Sequence, residues 1–267
     1  MTPKETTGGL DTEQFAELME LVKGSKSVEL KLTIPQESTR AATDALGLDP
    51  LDGEIRLVTF FDTPDLVLNK AGVVARCRRI QGKGADSVVK LRPVVPADLP
   101  AQLRSLDTVG IEVDAMPGGF VCSASFKGVA DAAKTKLVSL GKSPVRKVFD
   151  KDQRAFYKAH APEGLELDDL SVLGPIFVVK VRFVPPELAH KLVAELWLYP
   201  DGGRIFELST KCAPPELMDV YTNVRHYLIE RGIDRHGEQQ TKTKRALEFF
   251  AKGQQTGTAA GPPAGRK

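Results

Sequence analysis

The sequence predicts an α+β protein built on a closed or nearly closed antiparallel β-barrel of about eight strands with flanking helices. Many segments alternate apolar and polar residues, which is the period of two that strands have. Turn residues separate most of these segments, which is typical of antiparallel neighbours. Helical segments lie between the strands, and no shift in composition divides the chain. We therefore expect one main domain.

Helix and strand signals follow one another through the first half of the chain. Gly24, Pro35 and Gly47 end the first three elements, because glycine and proline interrupt regular structure. The predicted elements are a helix over 11–22, a strand over 27–34, a helix over 36–47, and strands over 54–61, 72–80 and 86–93.

The second half begins with a predicted strand and ends with a predicted helix. The Pro-Asp-Gly-Gly sequence at 200–203 predicts a hairpin turn between two strands. The predicted elements are a strand over 107–115, a helix over 126–140, an extended or mixed segment over 146–160, strands over 164–168, 176–184, 193–199 and 204–211, and a helix over 214–231. The predicted organisation is an N-terminal extension with a helix (1–26), a barrel domain (27–250) and a disordered, Gly/Pro-rich tail (251–267).

Composition excludes several classes of protein. The formal net charge is only +2, so the chain lacks the basic surface that non-specific nucleic-acid binding requires. No apolar run approaches the ~20 residues that span a bilayer, and residues 1–10 lack a signal-peptide core. The three cysteines are widely separated and indicate a reducing compartment. We expect a cytoplasmic protein with neither a nucleic-acid nor a membrane partner.

Three predicted strands each carry two cations on one face. Because residues i and i+2 of a strand point to the same side, the pairs are Arg76 with Arg78, Lys90 with Arg92, and Lys180 with Arg182. A single face of this kind is compatible with a solvated sheet surface. Its repetition over several strands favours a charged interior, because a solvated face tends to mix signs or to use uncharged polar residues.

Two further strands place an acid, a hydroxyl and a lysine on one face. They read Ser27-Val-Glu29-Leu-Lys31 and Glu207-Leu-Ser209-Thr-Lys211. A wet interior with many cations and a few acids suits a ligand of dense negative charge together with a divalent metal. Arginine and lysine bind phosphate oxygens. Glu29 and Glu207, with Glu112 and Asp114 of another strand, are candidate ligands of Mg²⁺ or Mn²⁺, which favour carboxylate oxygens.

These strands resemble those of the CYTH superfamily, also called triphosphate tunnel metalloenzymes, which includes class IV adenylate cyclases, thiamine triphosphatases and inorganic tripolyphosphatases. Residues 27–31 are similar to the family's N-terminal E-x-E-x-K strand, and 60–78 to its aromatic-D-T-P-D and R-x-R segment. Residues 89–93, 112–114 and 240–243 are similar to its lysine strand, its acidic strand and its late S-K-T element. The resemblance covers residues 27–245 and implies a tunnel-shaped barrel that binds triphosphate compounds.

The sequence departs from the family pattern at two acidic positions. Ser27 stands where the hallmark has its first glutamate. For the late acidic strand, one register uses Asp168 followed by the strand that contains Lys180, and the other uses residues 207–211. We adopt the second because it keeps the family's order of strand, helix and lysine element. Ser209 then replaces an acid.

The resemblance implies a metal-dependent phosphohydrolase acting on inorganic triphosphate, a nucleoside triphosphate or thiamine triphosphate, with a triphosphate-containing small molecule or polyphosphate as the expected ligand. The implied catalytic residues are Glu29, Lys31 and Glu207, and the implied metal ligands are Glu29, Glu112, Asp114 and Glu207. The implied substrate-binding residues are Arg76, Arg78, Lys90, Arg92, Lys180, Arg182, Lys211 and Lys242. The alternatives are a class IV-type adenylate cyclase, a catalytically weakened polyphosphate or nucleotide binder, which Ser27 and Ser209 favour, and a structural role with merely solvated charges.

Other polar and aromatic residues have simpler interpretations. Asp62 and Asp65 are predicted to serve the turn before a helix, since aspartate caps turns and helices. Trp197 and Tyr199 are predicted to pack in the barrel wall. An interior position for Asp168 stays open.

Overall fold

Nine strands close into a barrel in the computed structural model, which describes residues 12–234, 239 and 242–255. The strands are β1 (Ser27–Ile34), β2 (Glu54–Asp62), β3 (Val73–Ile80), β4 (Gly84–Leu91), β5 (Val109–Met116), β6 (Gly119–Ala130), β7 (Ser171–Phe183), β8 (Leu192–Leu198) and β9 (Arg204–Cys212). Around the ring their order is β1, β5, β6, β4, β3, β2, β7, β8 and β9.

Helices cover the outside of the barrel. In the described part of the chain they are α1 (Thr12–Lys23), α2 (Thr39–Ala45), α3 (Val67–Lys70), α4 (Ala101–Ser105), α5 (Ala132–Ser139), α6 (Lys151–His160), α7 (Leu217–Glu230) and α8 (Lys242–Gln255). None of these described helices is both long and apolar enough to cross a membrane.

The barrel is mixed, so the prediction of an antiparallel barrel of about eight strands is corrected in strand number and direction. β1 and β5 run parallel, whereas the other neighbours are antiparallel. Parallel neighbours need a long crossover, and β2, β3 and β4 all lie between β1 and β5 in the chain. The parallel register places Glu29 beside Asp114.

The additional strand is β6, in a region where the start of a helix was predicted at residue 126. β6 forms a hairpin with β5, and it pairs with β4 as far as Ala130. The helix begins only after Asp131, whose carboxylate accepts a hydrogen bond from the backbone N–H of Lys134 at 2.7 Å. This N-cap marks the true helix start.

The structure refines three other predicted segments. Residues 164–168 do not form a strand, since a 3₁₀ turn occupies Leu167–Asp169 and β7 begins directly afterwards. The mixed segment 146–160 contains helix α6, which the Asp150 carboxylate caps. Helix α8 extends to Gln255, so the first part of the predicted tail is helical, and residues 256–267 lie outside the described residues.

The described apolar residues form three buried clusters, two between the strands and the surrounding helices and one within part of the barrel. Leu18 of α1, Val138 of α5 and Phe156 of α6 pack against the outer face of the strands. Within the barrel, Phe60 and Trp197 belong to a buried cluster that α8 covers with its own apolar residues. The charged interior therefore occupies only the remaining part of the barrel.

Gln153 attaches helix α6 to the barrel through buried hydrogen bonds. Its side-chain amide donates to the carbonyl oxygens of Ser87 and Phe126, each at 3.1 Å, and accepts from the Ser87 hydroxyl at 2.7 Å. We expect Gln153→Ala to lower the free energy of unfolding by about 1–3 kcal/mol, because it leaves buried polar groups without partners. Urea denaturation measures this loss.

The matched control for this substitution is Gln102→Ala, on the exposed surface of α4. It should change the free energy of unfolding by no more than about 0.5 kcal/mol. Equal stability of the two variants would contradict a structural role for the Gln153 amide.

Candidate active site

The barrel encloses a cavity of about 240 Å³ whose wall is made by every strand and by the start of α8. Ten cations and four glutamates line it. The cations are Lys31, Arg56, Arg76, Arg78, Lys90, Arg92, Lys127, Lys180, Lys211 and Lys242. This excess of positive charge in an enclosed space suits an anionic ligand.

Strand alternation explains why these charges face inward. In the antiparallel register, Glu29 lies opposite Lys211, and Lys180 lies opposite Glu195. Of the predicted substrate-binding residues, all but Arg182 line the cavity. Arg182 lies near the end of β7, where its guanidinium is 3.6 Å from the Glu54 carboxylate.

The first charge cluster contains three carboxylates, of which Glu29 and Glu112 line the cavity and Asp114 is fully buried. One oxygen each from Glu29, Glu112 and Asp114 lies within 4.8 Å of the others. The Lys31 ammonium is 2.8 Å from Asp114 and 3.1 Å from Glu29. Lys211 forms an ion pair with Glu112. Arg92 and Lys90 lie 3.3 and 3.8 Å from Asp114, so these four cations partly neutralise the cluster.

The electrostatic surroundings keep these carboxylates ionised. Burial alone would raise the pKa of Glu29, but the charges of Lys31, Lys242 and Lys211 outweigh it and lower the pKa to about 2. Burial opposes ionisation of Asp114 as well, and Lys31 is foremost among the cations that lower its pKa. Ionised carboxylates are the form that binds a metal.

The three carboxylates fit a divalent cation. They offer hard oxygen ligands on adjacent strands, which Mg²⁺ and Mn²⁺ favour. Asp114 is fully buried, yet neither of its carboxylate oxygens accepts a hydrogen bond of ordinary geometry from a described residue. The predicted fourth ligand, Glu207, does not belong to this group among the described residues.

Glu207 belongs instead to a second charge cluster, with Glu195, Lys180 and Lys242. The Lys242 ammonium is 2.6 Å from Glu207 and also contacts Glu195, which pairs with Lys180 at 2.8 Å. The Trp197 indole N–H donates to Glu195 at 3.3 Å. Although burial would raise it, Lys242 and Lys180 hold the pKa of Glu195 well below its usual range.

Lys127 is exposed, and among the other cations of the cavity Arg76 and Lys90 are the least neutralised. Among the described residues, no carboxylate lies within 4 Å of Arg76, and burial together with the charge of Arg78 lowers the pKa of Arg76 to about 10. Lys90 lies 3.8 Å from Asp114, but burial lowers its pKa to about 7. A bound anion would supply the missing negative charge.

Sequence reasoning missed Glu195, Arg56 and Lys127 as cavity residues. Glu195 could have been predicted from the hairpin turn at 200–203. Counting back from the turn along its two strands places Glu195 opposite Glu207. Arg56 lies opposite an apolar residue of β3, without the paired cations that marked other strands. Lys127 fell within the segment predicted as a helix.

The simpler interpretations of other residues agree with the structure. The Asp62 carboxylate accepts hydrogen bonds from the backbone N–H groups of Thr63, Leu68 and Asn69 at 2.7–2.9 Å, so it serves the turn as predicted. Asp168 lies in a 3₁₀ turn and pairs with Arg146. Of the late element 240–243, Gln240 and Thr241 lie outside the described residues, whereas Lys242 begins α8.

Two solved structures share this architecture. HpAC1 from Hippeastrum, a candidate adenylyl cyclase described as having a dominant triphosphatase activity, aligns with a TM-score of 0.61 and 17% identity, over 83% of this chain and 95% of its own. A candidate adenylate cyclase from Bacillus halodurans aligns with a TM-score of 0.57 and 15% identity, over 83% of this chain and 97% of its own.

These similarities confirm the predicted resemblance at the level of the fold: the chain has the barrel fold of these two proteins. No protein-family model and no curated protein matches the sequence.

Proposed function

We propose that the cavity binds a triphosphate-bearing compound and that the protein hydrolyses one of its phosphoanhydride bonds with Mg²⁺ or Mn²⁺. The observation that carries this proposal is the set of ten cations around one enclosed cavity, with a three-carboxylate cluster in its wall. The triphosphatase activity described for the Hippeastrum protein of the same fold supports it. A triphosphate with its metal would neutralise most of the excess charge.

In this proposal, the cations hold the phosphate oxygens. Arg76 and Lys90 make the first contacts, because burial in the barrel leaves their charges poorly solvated and poorly compensated. Arginine offers a planar pair of donors to phosphate, and lysine offers a point charge. Arg78, Arg92, Lys180 and Lys242 already have carboxylate partners, so they extend the positive wall and keep the phosphate chain in one orientation.

Glu29, Glu112 and Asp114 would hold the divalent cation. When bound, such an ion stabilises negative charge on phosphate oxygens as a Lewis acid. Lys31 keeps Glu29 and Asp114 in place through its two ion pairs. Glu207 is nearly fully buried in the second charge cluster, where its carboxylate can accept a hydrogen bond from the attacking water. Positioning and charge neutralisation then supply most of the rate.

The full chain incubated with inorganic triphosphate, ATP or thiamine triphosphate tests this function. We expect phosphate release that requires Mg²⁺ or Mn²⁺, stops with EDTA and returns when excess Mn²⁺ is added. Cyclic AMP measured in the ATP reaction decides the cyclase alternative. Absence of metal-dependent phosphate release from all three substrates would contradict the proposal.

A second candidate function is binding of a polyphosphate or nucleotide without turnover. The surroundings of the carboxylate cluster support this function. Ser27, which stands where the family pattern has a glutamate, donates a hydrogen bond to Glu112 at 3.3 Å, and lysines lie against the cluster. Tight triphosphate binding measured by calorimetry, with no phosphate release in the same preparation, would identify this function.

A further inference from the structure

One cation contacts the carboxylate cluster from the solvent side. Lys211 lies near the end of β9, opposite Glu29 in the register, and its side chain is 49% exposed. Its ammonium forms an ion pair with an oxygen of Glu112, and the Ser27 hydroxyl donates to the same oxygen at 3.3 Å. The Glu112 carboxylate, one of the three candidate metal ligands, therefore already has a cation on it.

Lys31, the other lysine of the cluster, has a different setting. Its side chain is only 13% exposed, and it bridges Glu29 and Asp114 deep in the barrel. Moving it would take the nearest cation from buried Asp114 and from partly buried Glu29, which is costly. Lys211 has a long, half-exposed side chain, so it can turn into solvent at little cost because its charge becomes hydrated there.

We propose that Lys211 is a built-in competitor of the divalent cation: it occupies Glu112 when no metal is bound and leaves when a metal binds. This inference rests on the proposed function, because it takes Glu29, Glu112 and Asp114 as the metal site. Lys211 and the metal both bind the Glu112 carboxylate, and their like charges repel at this distance. The affinity of the site for metal is therefore lower than three carboxylates alone would give.

The same competition couples metal binding to substrate binding. Once displaced, the Lys211 ammonium remains at the wall of the cavity, where a phosphate group can pair with it. A triphosphate thus draws Lys211 away from Glu112 and raises the affinity for metal. By linkage, the metal raises the affinity for triphosphate by the same factor.

Titration of the full-length protein with Mn²⁺, with free Mn²⁺ followed by electron paramagnetic resonance, tests the competition. Lys211→Met, and Lys211→Gln as a second variant, should bind Mn²⁺ at least about tenfold more tightly than the unchanged chain, because they remove a like charge from the site. Lys211→Arg should stay within about threefold, since it keeps the charge.

The matched control is Lys180→Met, which removes a lysine of the same cavity that pairs with Glu195 instead. If the Lys211 variants gain no more affinity for Mn²⁺ than this control, the competition is refuted. In that case, measurable Mn²⁺ binding by the unchanged chain would still support the proposed metal site. If neither the unchanged chain nor folded Lys211→Met binds Mn²⁺, with or without inorganic triphosphate, the metal site and the competition both fall. Circular dichroism verifies folding of each variant.

Discussion

Replacing Asp114 with asparagine is expected to abolish metal-dependent phosphate release and to destabilise the protein by about 3–5 kcal/mol. Asp114 is fully buried, and Lys31, Arg92 and Lys90 lie within 2.8, 3.3 and 3.8 Å of its carboxylate. Removing its charge leaves three cations short of a counter-ion and removes a metal ligand. Urea denaturation and phosphate release measure the two effects.

Asp86→Asn is the matched control for Asp114→Asn. Asp86 accepts a hydrogen bond from Arg78 at 3.0 Å, and its side chain is partly exposed. We expect it to cost no more than about 1 kcal/mol, because a partly solvated pair contributes little. A stable Asp114→Asn protein with full Mn²⁺-dependent activity would show that Asp114 neither balances the interior charge nor holds a metal.

Replacing Arg76 with methionine is expected to change binding and stability in opposite directions. Triphosphate affinity should fall about 10- to 100-fold, the loss of a hydrogen bond to a charged group. The free energy of unfolding should stay equal or rise by about 1 kcal/mol, because a buried cation without a carboxylate partner is removed. Calorimetry with inorganic triphosphate and urea denaturation of the ligand-free protein measure the two quantities.

Arg146→Met controls for the loss of one positive charge anywhere on the molecule. Arg146 is exposed and pairs with Asp168 outside the barrel. Its replacement should leave triphosphate affinity within about threefold of the unchanged chain, because exposed charges are screened by salt. Equal losses of affinity in the two variants would mean that triphosphate responds to overall charge, without a specific contact at Arg76.

Strand alternation made the cavity predictable from sequence. Arg76 and Lys90 were placed on the inner face because two cations recur at a spacing of two, and in the structure both line the cavity. The glutamate and lysine of β1 could be placed in the same way. The period of two fixes which residues share a face, whatever the order of the strands.

Features that depend on the order of the strands could not be predicted in this way. The parallel pairing of β1 with β5 brings Glu29 to Asp114, and nothing local to either strand specifies that neighbour. The position of Glu207 shows the same limit. It was predicted as a metal ligand from its own strand, but β8 and α8 surround it with Glu195 and Lys242.

The helix predicted from residue 126 begins later in the structure, at Ala132, because local signals here are weak. Lys127 and its neighbours carry no strong strand signal, and Asp131 was not recognised as the N-cap that delays the helix. Pairing of residues 126–130 with β4 determined the outcome, because tertiary pairing outweighs weak local preference.

A crystal structure with Mn²⁺ and a non-hydrolysable imidotriphosphate tests the central claim most directly. We predict the analogue inside the barrel with its phosphate oxygens on Arg76 and Lys90, and an anomalous Mn²⁺ peak between Glu29, Glu112 and Asp114. An analogue bound only on the outer surface, with the ion pairs of the cavity unchanged, would contradict the assignment of this interior to phosphate binding.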